Sequence, residues 1–247
     1  MKYKEIRKYE LKKFKDLLLL KFHWNYEVKP GQFFMIGSDD APCLLNRPFS
    51  ISDFIDNEAI FRIKIKGKFT KFLGNLNSNK ILRIIGPCGI GVDVKKWIEK
   101  YDTIVLIGGG IGVAPLIFLY KEFKKYMNSI YLIYGAPSKN ELHYAFYGNN
   151  FKDLIIYTED GSKGSKGYPT DHLKYFRNSK NLSIIACGPK EMYKSLIRYN
   201  QFDTFVFLEE NMGCGFGVCL SCVVKTIHGY KRICKEGPLF NLKHIIL

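Results

Sequence analysis

Thr103-Ile-Val-Leu-Ile-Gly-Gly-Gly-Ile-Gly-Val-Ala-Pro-Leu-Ile-Phe-Leu-Tyr120 carries no charge over 18 residues, nominally enough for a helix across a bilayer. Its centre argues against that. Gly108, Gly109, Gly110, Gly112 and Pro115 would interrupt such a helix. The stretch instead reads as a buried strand over 103–107, a glycine turn, and a helix near 114–126. Pro115 suits the helix start, where the N–H it lacks would be unpaired anyway. A strand, a glycine turn and a helix form the phosphate-binding corner of a doubly wound sheet. The ordinary dinucleotide fingerprint would want another glycine at 113 or 115, where Val and Pro stand.

The alternation continues downstream. Strands over 103–107, 130–134, 154–157, 184–187 and 204–208 are separated by helical segments near 114–126, 139–146, 169–176 and 189–199. That is a βαβ pattern with a parallel sheet, expected to stop near Glu209. Ala186-Cys187-Gly188-Pro189 ends a strand and starts a helix, again at the carboxyl edge where ligands bind. Gly161–Gly167 resembles a phosphate loop but lacks its spacing and reads as a mobile loop.

Upstream, residues 1 to about 95 are β-rich. Phe61-Arg-Ile-Lys-Ile-Lys66 alternates apolar and charged side chains, the mark of a half-buried strand. Further strands are expected over 17–24, 32–36, 49–54 and 81–85. Turns at Pro30-Gly31, Asp56-Asn57, Asn77-Ser-Asn79 and Gly86-Pro87 punctuate them. Short strands at this spacing suggest a barrel or sandwich.

The chain has 247 residues, 47% hydrophobic and 25% charged, which excludes a disordered, collagen-like or coiled-coil chain. Its net charge of +15 invites an anionic partner. However, the cations are 31 scattered Lys and only 7 Arg, and Arg is the residue of bidentate phosphate and base contacts. No nucleic acid is therefore expected; a Lys-coated surface, with at most an acidic partner, is the better reading. The first 16 residues are charged throughout and lead to a four-leucine run, which is no signal or transit peptide. A cytoplasmic protein without a membrane span is expected.

Cysteines stand at 43, 88, 187, 214, 219, 222 and 234, four of them within 21 residues. Met212-Gly-Cys214-Gly-Phe-Gly-Val-Cys219-Leu-Ser-Cys222 has the spacing Cys-x4-Cys-x2-Cys, and Cys234 follows after 11 residues. This is the plant-type spacing for a [2Fe–2S] cluster, with Cys214, Cys219, Cys222 and Cys234 as metal ligands. Zinc is the alternative, although zinc ribbons use paired Cys-x2-Cys knuckles and only one exists here. Four buried thiols are the plain structural reading. The 38 residues after Glu209 cannot build a ferredoxin fold, so the cysteines form an appended module.

Two weaker signals lie in the barrel. Arg47-Pro48-Phe49-Ser50 begins a strand where an Arg, a fixed-φ Pro and a hydroxyl could hold a pyrophosphate. Gly67-Lys-Phe-Thr70 leads into a short helix expected over 71–76, placing Thr70 at an anion-attracting N-terminus.

Taken in order, RPFS (47–50), GKFT (67–70), GPCGIG (86–91), GGGIGVAPL (108–116), YGAPSKNEL (134–142), EDGSKGSKG (159–167), ACGP (186–189) and EENMGCGFGVCLSC (209–222) resemble the ferredoxin–NADP reductase superfamily. Within it, the chain is similar to electron-transfer subunits serving NAD-linked (class 1B) dihydroorotate dehydrogenases. The resemblance implies an antiparallel FAD-binding β-barrel over 1–98, a parallel-sheet NAD-binding α/β domain over 99–208, and a small [2Fe–2S] module over 209–247. It implies FAD contacts at Arg47, Pro48, Phe49, Ser50, Arg62, Ile63, Lys64, Phe69 and Thr70. Nicotinamide contacts are implied at Gly109, Gly110, Gly112, Cys187, Gly188 and Pro189. Two departures stand out: Phe69 stands where the family usually has Gly, and Asn46 where it often has Arg. The implied cofactors are FAD, a [2Fe–2S] cluster and NAD(H), and no catalytic acid or base is needed in this chain. The implied partner is an FMN-containing dihydroorotate dehydrogenase catalytic subunit, in a heterotetramer of two of each, for oxidation of dihydroorotate to orotate in pyrimidine biosynthesis. A reductase subunit serving a hydrogenase or a ferredoxin transhydrogenase is the alternative, and a non-enzymatic zinc adaptor the remote one. Glu141, after the second parallel strand, would accept from a ribose 2′-hydroxyl and favour NAD, while Ser138 and Lys139 would suit a 2′-phosphate.

Overall fold

Apolar–polar alternation along the N-terminal third is realised as antiparallel pairing. In the computed structural model, which describes residues 1–76, 80–142, 151 and 154–247, Leu17 to His23 pair with Lys64 to Glu58 at every position. The strands here are β1 (Lys2–Ile6), β2 (Tyr9–Phe14), β3 (Leu17–His23), β4 (Phe33–Gly37), β5 (Arg47–Ser50), β6 (Asp53–Ile55), β7 (Glu58–Lys64) and β8 (Leu82–Cys88). They form two four-stranded antiparallel sheets, β1-β8-β4-β5 and β2-β3-β7-β6. The inward positions supply an aromatic core. Phe22 stacks on Phe61 at 5.3 Å, while Phe34 meets Trp24 and Phe61 edge-on at 5.0 and 5.3 Å.

Several expectations are corrected. β1 and β2 lie in the N-terminal segment that its charges had disguised; their residues are mostly exposed or half-buried. The strand expected over 49–54 is two strands, because the chain changes sheets between them. Ile51 N–H donates to Gln32 O on one sheet, and Ser52 N–H to Ile60 O on the other. Strand β8 runs through Gly86–Pro87, where the sequence predicts a turn, and the β4 register shifts opposite it, a bulge that absorbs the proline. The short helix is Lys68–Leu73, one turn earlier than expected. Asp56 and Asn57 do form the tight turn between β6 and β7, both with positive φ. The expected turn at 77–79 lies outside the described residues.

The chain divides into two compact units by contact. The first takes Met1–Val92, Glu209–Val224 and Tyr230–Pro238; the second takes Asp93–Leu208, Lys225–Gly229 and Leu239–Leu247. The second unit holds β9 (Thr103–Gly109), β10 (Ile130–Ala136), β11 (Leu154–Thr158), β12 (Ser165–Lys166), β13 (Leu182–Cys187) and β14 (Asp203–Phe207). After a hairpin of β15 (Val223–Thr226) and β16 (Gly229–Arg232) comes β17 (Leu239–Asn241). The sheet order is β12-β11-β10-β9-β13-β14-β17, parallel except for β17. The apolar run that looked like a span is the central strand β9 plus the helix Val113–Lys124, whose residues 113–120 are all buried.

Here too the sequence reading needs correction. The sheet does not stop near Glu209, since Leu239–Asn241 returns to pair antiparallel with β14. The presumed mobile loop 161–167 contains β12, paired in parallel with Tyr157 and Thr158. Residues 169–176 form a 3-10 rather than an α-helix. The helix expected near 189–199 is α-helical over Lys190–Leu196 and 3-10 over Ile197–Tyr199. Of the helix expected over 139–146, Lys139–Glu141 forms one 3-10 turn and 143–146 lie outside the described residues. The helix Val94–Lys100, capped by Asp93, was not anticipated. Among the described residues no helix is long and apolar enough to cross a membrane.

Candidate cofactor sites

The carboxyl edge of the parallel sheet is built by backbone contact between two turns. Strand β9 ends at Gly109, Gly110 turns with positive φ, and Gly112 leads into the long helix. A Cβ on Gly112 would lie 2.3 Å from Cys187 O at the end of β13, so only glycine lets these turns meet. The β13 turn is held in place by Tyr193, whose hydroxyl accepts from Gly188 N–H at 3.1 Å and donates to Phe207 O at 2.6 Å. In front of this edge lies a cavity of about 570 Å³. Gly109, Gly110 and Pro189 line it; Gly112 and Cys187 are buried behind it, and Gly188 is half-buried.

The turn after β10 enters the cavity only in part. Gly135, Ala136 and Pro137 line it, whereas Ser138, Lys139 and Glu141 do not. Lys139 N–H donates to Ser162 Oγ at 2.8 Å. Among the described residues, the acidic ones that line the cavity are Glu159 and Glu191. Glu159 is carried there because its N–H donates to Ala136 O at 3.2 Å, joining the ends of β10 and β11. Sequence reasoning missed it, although it directly follows an anticipated strand at the ligand-binding edge.

The first unit carries the cysteine loop. Cys214 N–H donates to Cys219 Sγ at 3.4 Å, and Phe216 N–H donates to Cys214 Sγ at 3.4 Å. Cys222 and Cys234 bring their sulfurs within 3.3 Å. The four thiols stand as two pairs; among the described residues no three His, Cys, Asp or Glu side chains converge as one metal-binding group. The bond with Ser221, supported by backbone N–H groups, lowers the Cys219 thiol to about 6, so it is largely the thiolate a metal requires. Burial, then Cys222, pushes Cys234 up to about 12. Cys88, outside the motif, is also pushed up to about 12 by burial and behaves as a small apolar side chain. None of the seven cysteines is in a disulfide. A set of soft sulfur donors with backbone N–H groups aimed at two of them fits an iron–sulfur cluster.

Of the barrel candidates, Arg47–Ser50 lie on an edge strand. Strand β5 ends its sheet, and all four of its residues are half-buried. Arg47 Nη1 donates to Leu45 O at 2.9 Å. Arg62 and Lys64 are half-buried on β7, with Ile63 buried between them. Phe69 turns inward, 3% exposed and stacked on Phe49 at 6.1 Å. Its ring therefore occupies the core rather than the surface of the turn. Thr70 is within the helix, and its Oγ1 accepts from the N–H groups of Lys66 and Gly67. An open strand edge with an arginine and inward-packed aromatics fits a flavin diphosphate and ring.

Comparison with known proteins agrees with this layout. Residues 209–246 match the iron-sulfur cluster binding domain of dihydroorotate dehydrogenase B, and residues 106–197 match the oxidoreductase NAD-binding domain. The dihydroorotate dehydrogenase B (NAD(+)) electron transfer subunit of Clostridium acetobutylicum is 35% identical over all of this chain and 98% of its own length. The chain belongs to this family. The Fusobacterium nucleatum subunit of the same name is 36% identical over 92% of this chain and 91% of its own. A structure of an NADH-dependent reduced ferredoxin–NADP oxidoreductase superposes with a TM-score of 0.81 at 27% identity, covering 98% of this chain and 88% of that one. A ferredoxin NADP+ reductase from Neisseria gonorrhoeae shares the fold, with a TM-score of 0.67 at 14% identity over 81% and 91% of the two chains. As a dihydroorotate dehydrogenase B electron transfer subunit, the chain is an oxidoreductase component that works with a catalytic partner. The NAD-binding match spans the turns that line the cavity, and the cluster match spans all four cysteines.

Proposed function

We propose that this chain carries electrons between an FMN-containing catalytic subunit that oxidises dihydroorotate and NAD, through a [2Fe–2S] cluster and FAD. The working assembly is a cytoplasmic heterotetramer of two of each subunit. The observation that carries this reading is the pairing of Cys214 with Cys219 and of Cys222 with Cys234 within the segment that matches the family's cluster domain. When bound, the flavin exchanges two electrons with a nicotinamide and single electrons with the cluster, which is why such a chain needs both.

The residues divide the work along the chain: 1–98 hold FAD, 99–208 hold NAD, and 209–247 hold the cluster. Arg47 pairs with the flavin diphosphate, while Pro48, Phe49, Ser50 and Arg62–Lys64 present the strand edges to the ring system. Phe69 supports Phe49 from within, and Thr70 shapes the turn through its bonds to Lys66 and Gly67. The turns at Gly109–Gly112 and Cys187–Pro189 receive the NAD phosphates. Glu159 replaces Glu141 as the acceptor for the adenosine ribose, since it lines the cavity and Glu141 does not. Phe216, Val218 and Leu220 are exposed on the cysteine loop and give the catalytic partner an apolar surface.

The purified chain should oxidise NADH with an artificial acceptor and leave dihydroorotate untouched. Adding the FMN subunit should couple dihydroorotate oxidation to NAD⁺ reduction. Turnover of dihydroorotate by the isolated chain would overturn the proposal. The likeness to the NADH-dependent ferredoxin–NADP oxidoreductase favours one second reading, a subunit reacting with ferredoxin. Coupling to reduced ferredoxin, without coupling to the FMN subunit, would select it.

A further inference from the structure

We infer that Arg232 is the positioning residue of the cluster cage: one guanidinium fixes the loop bearing Cys214 and Cys219 against the helical turn bearing Cys234. This rests on the cluster assignment above and concerns residues outside the cysteine motif. Arg232 Nη1 donates to Gly217 O at 2.9 Å, midway between Cys214 and Cys219. Its Nε donates to both carboxylate oxygens of Glu236, at 3.2 and 3.1 Å, and Nη2 donates to Oε1. The Arg232 backbone N–H donates to Glu236 Oε2 at 2.7 Å. Arg232 thus precedes the turn Ile233–Glu236 and grips its last residue, with Cys234 between.

The loop on the other side is built to receive the contact. Gly217 has φ +88, and a Cβ there would lie 3.0 Å from Lys235 Cδ and 3.5 Å from Arg232 Nη1. The same turn is joined to the third cysteine, because Ile233 N–H donates to Cys222 O at 3.0 Å. Arg232 and Glu236 are both half-buried, at 29% and 30% side-chain exposure, so the pair is shielded more than most surface bridges here.

An arginine, rather than a lysine, suits this position. In a chain with 31 Lys and 7 Arg, position 232 needs donors in two directions at once, toward a carboxylate and toward a carbonyl. A planar guanidinium meets both; a single ammonium on a flexible stem does not hold that geometry. With Gly217 O pinned, the N–H of Phe216 stays on Cys214 Sγ and that of Cys214 on Cys219 Sγ. Such N–H···S bonds favour the reduced, more negative cluster and raise its potential.

The test uses the full chain purified without oxygen, as wild type, Arg232→Lys, Arg232→Gln, Glu236→Gln and the exchange Arg232→Glu with Glu236→Arg. Iron release to a chelator, the midpoint potential and the electron paramagnetic resonance of the reduced cluster are measured. FAD content and far-UV circular dichroism report the fold. Arg232→Lys and Arg232→Gln should release iron about tenfold or more faster, lower the potential, and leave FAD content unchanged. Glu236→Gln keeps the bond to Gly217 and should fall between them and wild type. The exchange restores the ion pair without the carbonyl bond and should stay as fast as Arg232→Gln. If Arg232→Gln does not fold, Arg232→Lys and Glu236→Gln decide. Wild-type release and potential in Arg232→Lys, or full recovery in the exchange, would overturn the inference.

Discussion

Gly112 and Glu159 show how single residues shape the cavity proposed to take the nicotinamide cofactor. Gly112 is required by a close approach of backbone to backbone, 2.3 Å from a would-be Cβ to Cys187 O, which no fingerprint spacing records. Glu159 reaches the cavity through a hydrogen bond of its own backbone to Ala136 at the end of the neighbouring strand. In the proposed site a carboxylate there would accept from a ribose 2′-hydroxyl and repel a 2′-phosphate. Replacing Glu159 with Gln should therefore weaken NADH use only modestly but raise kcat/KM for NADPH by about tenfold, the worth of one relieved charge contact. Glu141→Gln should leave the ratio unchanged. Steady-state kinetics with both nucleotides check this, and an unaltered preference in Glu159→Gln would return the role to another residue.

At the scale of elements, the parallel sheet is finished by pieces distant in sequence. Asp203, at the start of β14, accepts from the Tyr101 hydroxyl at 2.7 Å and from Lys100 at 3.2 Å, and Lys243 approaches at 3.9 Å. One carboxylate thus ties the end of the helix Val94–Lys100 and the residues after β17 to the sheet. The Tyr101 hydroxyl, then the lysines, hold the Asp203 carboxyl below its ordinary range. A carboxyl lowered by folding contributes stability that is present above its unfolded value near 4 and is lost as pH falls through the folded value. With solvent reaching this site, Asp203→Asn should cost about 1 kcal/mol at pH 7. The gap from wild type should close as pH falls below about 4. Urea titrations across that range measure it; a gap independent of pH would assign the loss to packing alone.

For the whole molecule, the decisive property is its metal content. The chain purified without oxygen should contain about two irons and two acid-labile sulfides, as the spacing requires. Serine in place of Cys214, Cys219, Cys222 or Cys234 should lose the cluster or shift its potential. Cys43→Ser and Cys88→Ser should retain it, since Cys88 is a buried thiol against the loop rather than part of the motif. Stoichiometric zinc in place of iron would end the electron-transfer reading. Residues 209–247 are shared between the two compact units, so the cysteines belong with the barrel while Leu239–Asn241 completes the other sheet. This interleaving was not legible, because the tail reads locally as one cysteine-rich module and its strand is only three residues long.

What the sequence determined by itself is whatever neighbours in the chain decide among themselves. The strand, glycine turn and helix of 103–124, the period-2 strand at β7, the tight turn at Asp56–Asn57 and the Cys-x4-Cys-x2-Cys loop all belong to this class. Each rests on a periodicity, a φ preference or a ligand spacing within a few residues. The tertiary structure alone decided that the chain changes sheets at Ile51–Ser52 and that Phe69 turns into the core. It also decided that Glu159 rather than Glu141 faces the cavity, and that Arg232 reaches Gly217. These depend on which distant backbone groups are brought within hydrogen-bonding or packing distance, and that is a property of strand order and register rather than of any local pattern.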